Sequence, residues 1–340
     1  MKPFSSIRII VCILIVFVAG SILYGGCGQD ASQDDTSPFT IILMPDTQNY
    51  TDSSFGAIPQ YFFDQTKWIR DAADSLNIRM VAHLGDIVQN PRERSQWSLA
   101  DSAFATIDAS IPYILCLGNH DITGTSNSGN EERTSLVDDF FPPSRFTGNP
   151  IYDNNLGGNP EAHFMEPGKS DNYYLYFSGG GMDFLIIAIE FQPRDKTLDW
   201  ANEVVATHPD HRCIVVTHAY LNAESKREIS YYEIGGNGSS EIWDKFVKKH
   251  DNMFMVLCGH ILGEAMLVSN GENGNEVYQI LADYQNNYIG NGGNGYLRIM
   301  TFYPKRKVIE NKTYSPTLGT FLTRPKSEFT INYMLTADSE

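Results

Sequence analysis

The chain has 340 residues, of which 42% are hydrophobic and 12% aromatic; that is enough apolar material for a substantial core and excludes a disordered class, and the length allows one large domain or two ordinary ones. The net charge is −16, and setting aside residues 1–26, which hold Lys2 and Arg8 but no acid, leaves 23 basic against 41 acidic residues, or −18. A surface of that sign repels phosphate backbones, so a nucleic-acid partner is not expected.

Lys2 and Arg8 lie around the start of an unbroken apolar run, Ile9 to Val18, and small residues (Gly20, Ser21, Gly25, Gly26) then lead to Cys27. That is the order of a secretory signal peptide over residues 1–26. The Gly-Gly-Cys junction resembles a bacterial lipobox, with Cys27 as the lipidated first residue, although Tyr24 stands where that motif prefers leucine. The alternative is a plain membrane anchor extending to Leu23. Either way the protein is expected to be exported to the cell envelope, in the periplasm or at the cell surface. Residues 27–38, acidic and free of large apolar side chains until Phe39, read as a flexible tether. Cys116, Cys213 and Cys258 sit inside apolar runs, and an odd count without repeated spacing argues against a disulfide framework.

From residue 39 to 340 the pattern predicts one domain. "FTIILM" (39–44) reads as a buried strand, and Phe62, Gln65, Ile69, Ala72 and Leu76 recur at helical spacing across 60–76. A strand at 79–85, a helix at 95–108 with Trp97, Phe104 and Ile107 on one stripe, and a strand at 112–118 follow. Residues 122–170, rich in Gly, Asn, Ser and Pro, break this rhythm and read as a long insertion; Arg145 and several aromatics there are candidates for shaping a pocket. A hairpin of 172–178 with 182–190, a helix at 197–207, a strand at 213–218, a helix at 240–250 and a strand at 253–260 come next. Only strand-like segments remain, at 264–269, 276–283, 295–303, 306–312 and 327–333. Alternating strands and helices imply parallel pairing in an α/β arrangement that becomes β-rich at its end.

The apolar strands end in short polar signatures: "MPDTQ" with Asp46 and Gln48, "LGDIVQN" with Asp86, "LGNHD" with Asn119, His120 and Asp121, "VTHAY" with His218, and "CGHILG" with His260. Parallel strands put their carboxyl ends on one edge of a sheet, where open α/β folds build their sites. Carboxylate, carboxamide and imidazole groups gathered there are ligands for borderline to hard divalent metals. His83, within its strand, reads instead as a core or supporting histidine.

Taken in order, these five signatures resemble the calcineurin-like metallophosphoesterase family, whose motifs run D-x-H, GD, GNH(D/E), H and GHxH. The resemblance covers Asp46 to His260, with "GD" and "GNHD" its most specific parts. It implies a four-layer α-β-β-α sandwich of two mixed sheets and a two-metal hydrolase of phosphomonoesters or phosphodiesters using manganese, zinc or iron. One metal would be held by Asp86, Asn119, His218 and His260. The other would share Asp86 and take Asp46 and two histidines, which here are Gln48 and Leu262. That second ion is therefore expected to be held more weakly, with Glu264 a conceivable substitute ligand. The PDTQ form is similar to a subgroup of exported bacterial members. The resemblance implies water activated by divalent cations for in-line attack on phosphorus, His120 as general acid and Asp121 orienting it. "GDIVQN" lacks the tyrosine of purple acid phosphatases, so no iron(III)–tyrosinate is expected. The expected partner is a phosphorylated small molecule or ester, with membrane attachment through lipidated Cys27 or an N-terminal anchor. A rival reading, prompted by the thinned ligand set, is a surface binding protein on the same scaffold with little or no turnover.

Overall fold

The computed structural model describes residues 36–123, 133–149, 151–152, 162–228 and 234–333. The expected signal peptide and most of the tether lie outside the described residues, as do residues 124–132, 150 and 153–161 of the 122–170 insertion.

The first strand, β1 (Phe39–Met44), is buried at every position, as a strand covered on both faces must be. It pairs in parallel with β2 (Ile78–His83), which pairs in parallel with β3 (Tyr113–Leu115). The intervening helices are α1 (Gln48–Asp52), α2 (Gln60–Ala72) and α3 (Arg94–Phe104). α2 buries Phe62, Gln65, Thr66 and Ile69, and α3 buries Trp97, Ala100, Ala103 and Phe104, each set forming one helical stripe. α4 (Val137–Phe140) and the two-residue strand β4 (His163–Phe164) lie within the described parts of the insertion. β5 (Tyr173–Gly179) and β6 (Met182–Ala188) form the expected hairpin. α5 (Asp195–Ala206), β7 (Arg212–Val216), α6 (Ser239–Lys245) and β8 (Met253–Cys258) follow, then β9 (Gly263–Asn270) and β10 (Glu276–Asp283). β11 (Leu297–Tyr303), β12 (Val308–Ser315), β13 (Thr320–Leu322) and β14 (Glu328–Asn332) close the order.

These strands form two mixed sheets. One runs β13-β12-β11-β1-β2-β3, with β14 also on β12, and the other runs β4-β5-β6-β7-β8-β10-β9. The α/β sandwich expected from the resemblance is the architecture observed. Aromatic side chains join the sheets: Phe39 of β1 lies 4.6 Å from Phe302 on its own sheet and 5.7 Å from Phe184 of β6 on the other.

β10 has a consequence for function. After β8 the chain turns back as β9, which pairs antiparallel with β10, so β10 runs parallel to β8. Its carboxyl end therefore reaches the same edge as those of β6, β7 and β8.

Candidate metal centre

The five signatures do meet at one edge, around a cleft of about 350 Å³ whose lining includes Gln48, Asp86, Asn119, His120 and His260. Asp46 and His218 lie just beneath. The backbone N–H of His260 donates to Asp46 Oδ2 at 3.1 Å, and His218 Nε2 sits 3.2 Å from Asp86 Oδ2. One ligand atom each from Asp86, His218 and His260 falls within 4.8 Å of the others, the sole such metal-ligand group among the described residues.

The tautomer of His218 decides what this group can do. Its Nδ1 lies 2.8 Å from the carbonyl oxygen of Leu84, an acceptor only, so Nδ1 carries the proton. In the neutral ring Nε2 is then a bare lone pair, buried, without a hydrogen-bond partner and facing a carboxylate. Asn119 Oδ1 is likewise buried and unpartnered. Buried acceptors facing one another are costly unless something positive lies between them. An imidazole that donates one N–H to a carbonyl while offering the other nitrogen is also the usual posture of a metal-ligating histidine. The donor set Asp86, Asn119, His218 and His260 thus fits a borderline divalent cation.

The electrostatics agree. Burial opposes charge on His218, yet Asp86 and Asp46 hold its pKa up at about 10, which expresses their demand for a cation. Burial, reinforced by His218, depresses His260 to about 3. Burial tends to raise Asp86, but His218, joined by His120 and His260, holds it below the usual carboxylate range. Asp46 is pushed well up, by burial first and then by the nearby Asp283 carboxylate.

The motif residues also show why they are spelled as they are. A Cβ on Gly118 would lie 2.1 Å from Asp86 Oδ1, and one on Gly259 would lie 2.2 Å from Asp46 Oδ1. Only glycine admits the carboxylates so close. Asp86 and His260 themselves adopt left-handed backbone, with φ of 52° and 70°, a cost that tends to concentrate at functional sites.

Several expectations need correction. Asp121 does not touch His120. Its carboxylate accepts backbone N–H bonds from Ile87, Val88 and Gly118 at 2.8–3.1 Å and so staples the GD loop to the GNHD loop. Burial and Asp86 raise it to about 7 against those bonds. The orienting contact comes from Gln89, whose carbonyl accepts from His120 Nδ1 at 3.0 Å. Glu264 is not a ligand: its carboxylate is taken up by Arg298, Tyr284, Thr313 and Ser327. Leu262 stands 38% exposed at the rim of the cleft. Arg145 pairs with Asp101 and Asp108 and stacks 4.5 Å over Phe141, clamping the insertion to α3 rather than facing the cleft. His83 behaves as the supporting residue expected. Its Nδ1 accepts from Gly85 N–H, so Nε2–H donates to Thr47, which donates to the Ile87 carbonyl and ties the first two loops together.

Two residues at the site went unread in the sequence, Asp283 and Gln285. Both are buried, and Gln285 lines the cleft and donates to Asp46. The available signal was "LADYQNN", another apolar strand with a polar end, but its parallel direction depends on β9 folding back.

Residues 39–264 match the family model of calcineurin-like phosphoesterases, more than half of the chain. The chain belongs to that family. It is also 32% identical over 295 residues to the uncharacterized protein YvnB of Bacillus subtilis (strain 168), an alignment covering 84% of this chain and 21% of that protein. The chain thus spans about a fifth of the length of that relative. Among solved structures it resembles purple acid phosphatase PPD1 from yellow lupin (Lupinus luteus) seeds, with a TM-score of 0.53, 13% identity, and coverage of 88% of this chain and 55% of that one. At that identity the likeness shows the fold alone. The Asp86–His218–His260 group lies within the residues matched to the family.

Proposed function

We propose that this chain hydrolyses phosphomonoesters or phosphodiesters with divalent metal held by Asp86, Asn119, His218 and His260. The observation that carries this reading is the buried, bare Nε2 of His218 aimed at Asp86, beside the unpartnered Asn119 Oδ1. A bound divalent cation supplies Lewis acidity there, lowering the pKa of water and offsetting charge on phosphoryl oxygens. His120 serves as general acid. Its Nδ1–H is tied to the Gln89 carbonyl, so Nε2 is the atom left to pass a proton to a departing oxygen. Its own N–H donates to Asp86 Oδ1 at 2.9 Å, which fixes the proton donor relative to the metal ligands. Asp121 maintains that spacing through the backbone. Gln48 and Leu262 in place of two histidines mark a PDTQ-type variant whose other metal site differs from the family pattern.

The substrate class follows from charge: a chain at −16 suits a small phosphorylated ester better than a nucleic acid. The amino-terminal pattern supports export and lipid attachment at Cys27, and Cys27→Ser should release the protein from membranes; unchanged attachment would favour an uncleaved anchor. Among the described residues no helix is long and apolar enough to cross a membrane.

The test is a panel of phosphomonoesters and phosphodiesters offered to full-length protein reconstituted with manganese or zinc. Hydrolysis that a chelator abolishes is expected in at least one class. Bound metal without turnover on any member would leave the binding-protein reading.

A further inference from the structure

The cleft over the candidate metal centre has a rim as well as a floor. Phe55 and Leu262 line it at 49% and 38% exposure, two of the large apolar side chains that the described residues leave open to water. Tyr288, 40% exposed, adjoins Leu262: its hydroxyl oxygen lies 3.9 Å from where a Cβ on Gly263 would sit. Phe55 is held there at a cost. Its φ of 53° and ψ of 27° are left-handed backbone, which a bulky side chain rarely adopts. Such strain persists only where the surroundings impose it, and Asn49 supplies part of that restraint. Its buried side chain donates to Ser54 Oγ at 3.0 Å and accepts the Asn286 N–H at 2.6 Å, tying the Phe55 turn to the loop that carries Gln285. Glycine would suit this backbone without strain, so the aromatic ring is what the position supplies. No lysine or arginine lines the cleft among the described residues, and Gln89 and Asn286 contribute neutral amides to its walls.

We infer that this rim binds the apolar part of the substrate, so that the chain selects phosphoesters whose alcohol carries an alkyl or aryl group and no further charge. The inference rests on the phosphoesterase reading above and narrows it. A substrate with additional phosphates or carboxylates would meet no cationic side chain on these walls, in a chain of net charge −16. An apolar group would instead cover Phe55, Leu262 and Tyr288 and take their exposed surface out of water, a gain roughly proportional to the area covered. Leu262 gains a role here: where the family pattern has a histidine, this chain places apolar contact at the mouth of the cleft. Phe55 and Leu262 set specificity, and Asn49 is a positioning residue for Phe55.

The test uses the full chain loaded with manganese and two sets of probes. The n-alkyl phosphates from ethyl to hexyl share one kind of leaving oxygen, so only apolar contact changes along the series. A fully buried methylene is worth about fourfold and one covered on a single side about twofold, so kcat/KM should rise about 16-fold over the four added methylenes. The matching alkylphosphonates, which cannot be hydrolysed, should show the same trend in affinity. Octyl against 2-phenylethyl phosphonate then separates a preference for chains from one for rings, either of which supports the inference. Phe55→Gly relieves the left-handed backbone and should melt no lower than the unmodified chain; a lower melting temperature would make Phe55 a packing residue and overturn its part. With Leu262→Asn added, the length dependence should fall below about threefold. A series flat in both rate and affinity would overturn the inference, as would full length dependence in the double variant. Affinity that rises with chain length, without hydrolysis of any phosphate, would keep the rim and count against the phosphoesterase reading instead.

Discussion

Replacing Glu264 by alanine removes the acceptor at the centre of a buried network. Arg298 is fully buried, and its Nη2 donates to Glu264 Oε1 at 2.6 Å; Tyr284 and Thr313 donate to the same carboxylate at 2.9 Å, and Ser327 donates to its other oxygen. In Glu264→Ala the hydroxyls of Tyr284 and Thr313 still have each other at 2.9 Å, so most of the loss falls on the guanidinium. Its Nε and Nη1 already lack acceptors, and Nη2 would keep the Lys326 carbonyl at 2.9 Å and the hydroxyls of Tyr284 and Thr313 at 3.4 Å, none of them charged. Leaving one member of a buried ion pair uncompensated costs about 3–5 kcal/mol, a fifth or more of the stability of an ordinary domain, roughly 5–15 kcal/mol. Urea unfolding of the full chain should therefore show a lower midpoint with an unchanged slope. Glu264→Leu combined with Arg298→Met should recover most of the loss, because an apolar pair of similar volume needs no compensation. A single-variant loss below about 1 kcal/mol, the value expected of a surface pair, would refute the claim that this pair is desolvated.

The same residue sets a pH dependence. Burial tends to raise the Glu264 carboxyl, but Arg298 and its hydroxyl donors win and depress it below its ordinary 4.5; a depressed carboxylate stabilises the fold fully above that value and loses its contribution as pH falls through the folded-state pKa. Melting temperature should thus fall on acidification below pH 4.5, and Glu264→Gln should flatten that slope; an unaltered slope would remove Glu264 from the account. His120→Asn should cost on the order of 10²–10⁴ in rate on an alkyl phosphate and much less on an activated aryl ester, while equal losses on both would assign His120 to binding. Gly118→Ala puts a methyl 2.1 Å from Asp86 Oδ1 and should abolish tight zinc retention; normal zinc content in that variant would show that the loop can shift freely.

Much of the fold was legible because its signals are local. The apolar runs at 39–44 and 253–260 and the stripe of Phe62, Gln65 and Ile69 carry their periodicity on their surface, and the structure places β1, β8 and α2 there. The residues that gather at the cleft could be picked out for the same reason, since each follows closely on a strand. What escaped depends on contacts distant in sequence. Asp283 and Gln285 reach the site only because β9 folds back and aligns β10 with β8. Glu264, two residues past Leu262 in sequence, turned out to belong to Arg298, 34 residues on, and no spacing rule announces such a pairing. Asp121 illustrates a subtler limit: adjacency to His120 suggested a side-chain contact, whereas its oxygens are claimed by backbone N–H groups of Ile87 and Val88.

The central claim, that His218 presents a bare Nε2 to a metal shared with Asp86, Asn119 and His260, is tested most directly by zinc retention in His218→Ala. Full-length protein is loaded with zinc, dialysed against magnesium buffer, and assayed for zinc content and phosphoester hydrolysis on the same sample. The unmodified chain should retain tightly bound zinc and turn over substrate, and the variant should lose both while keeping its circular dichroism spectrum. Zinc content and hydrolysis unchanged in His218→Ala would contradict the account.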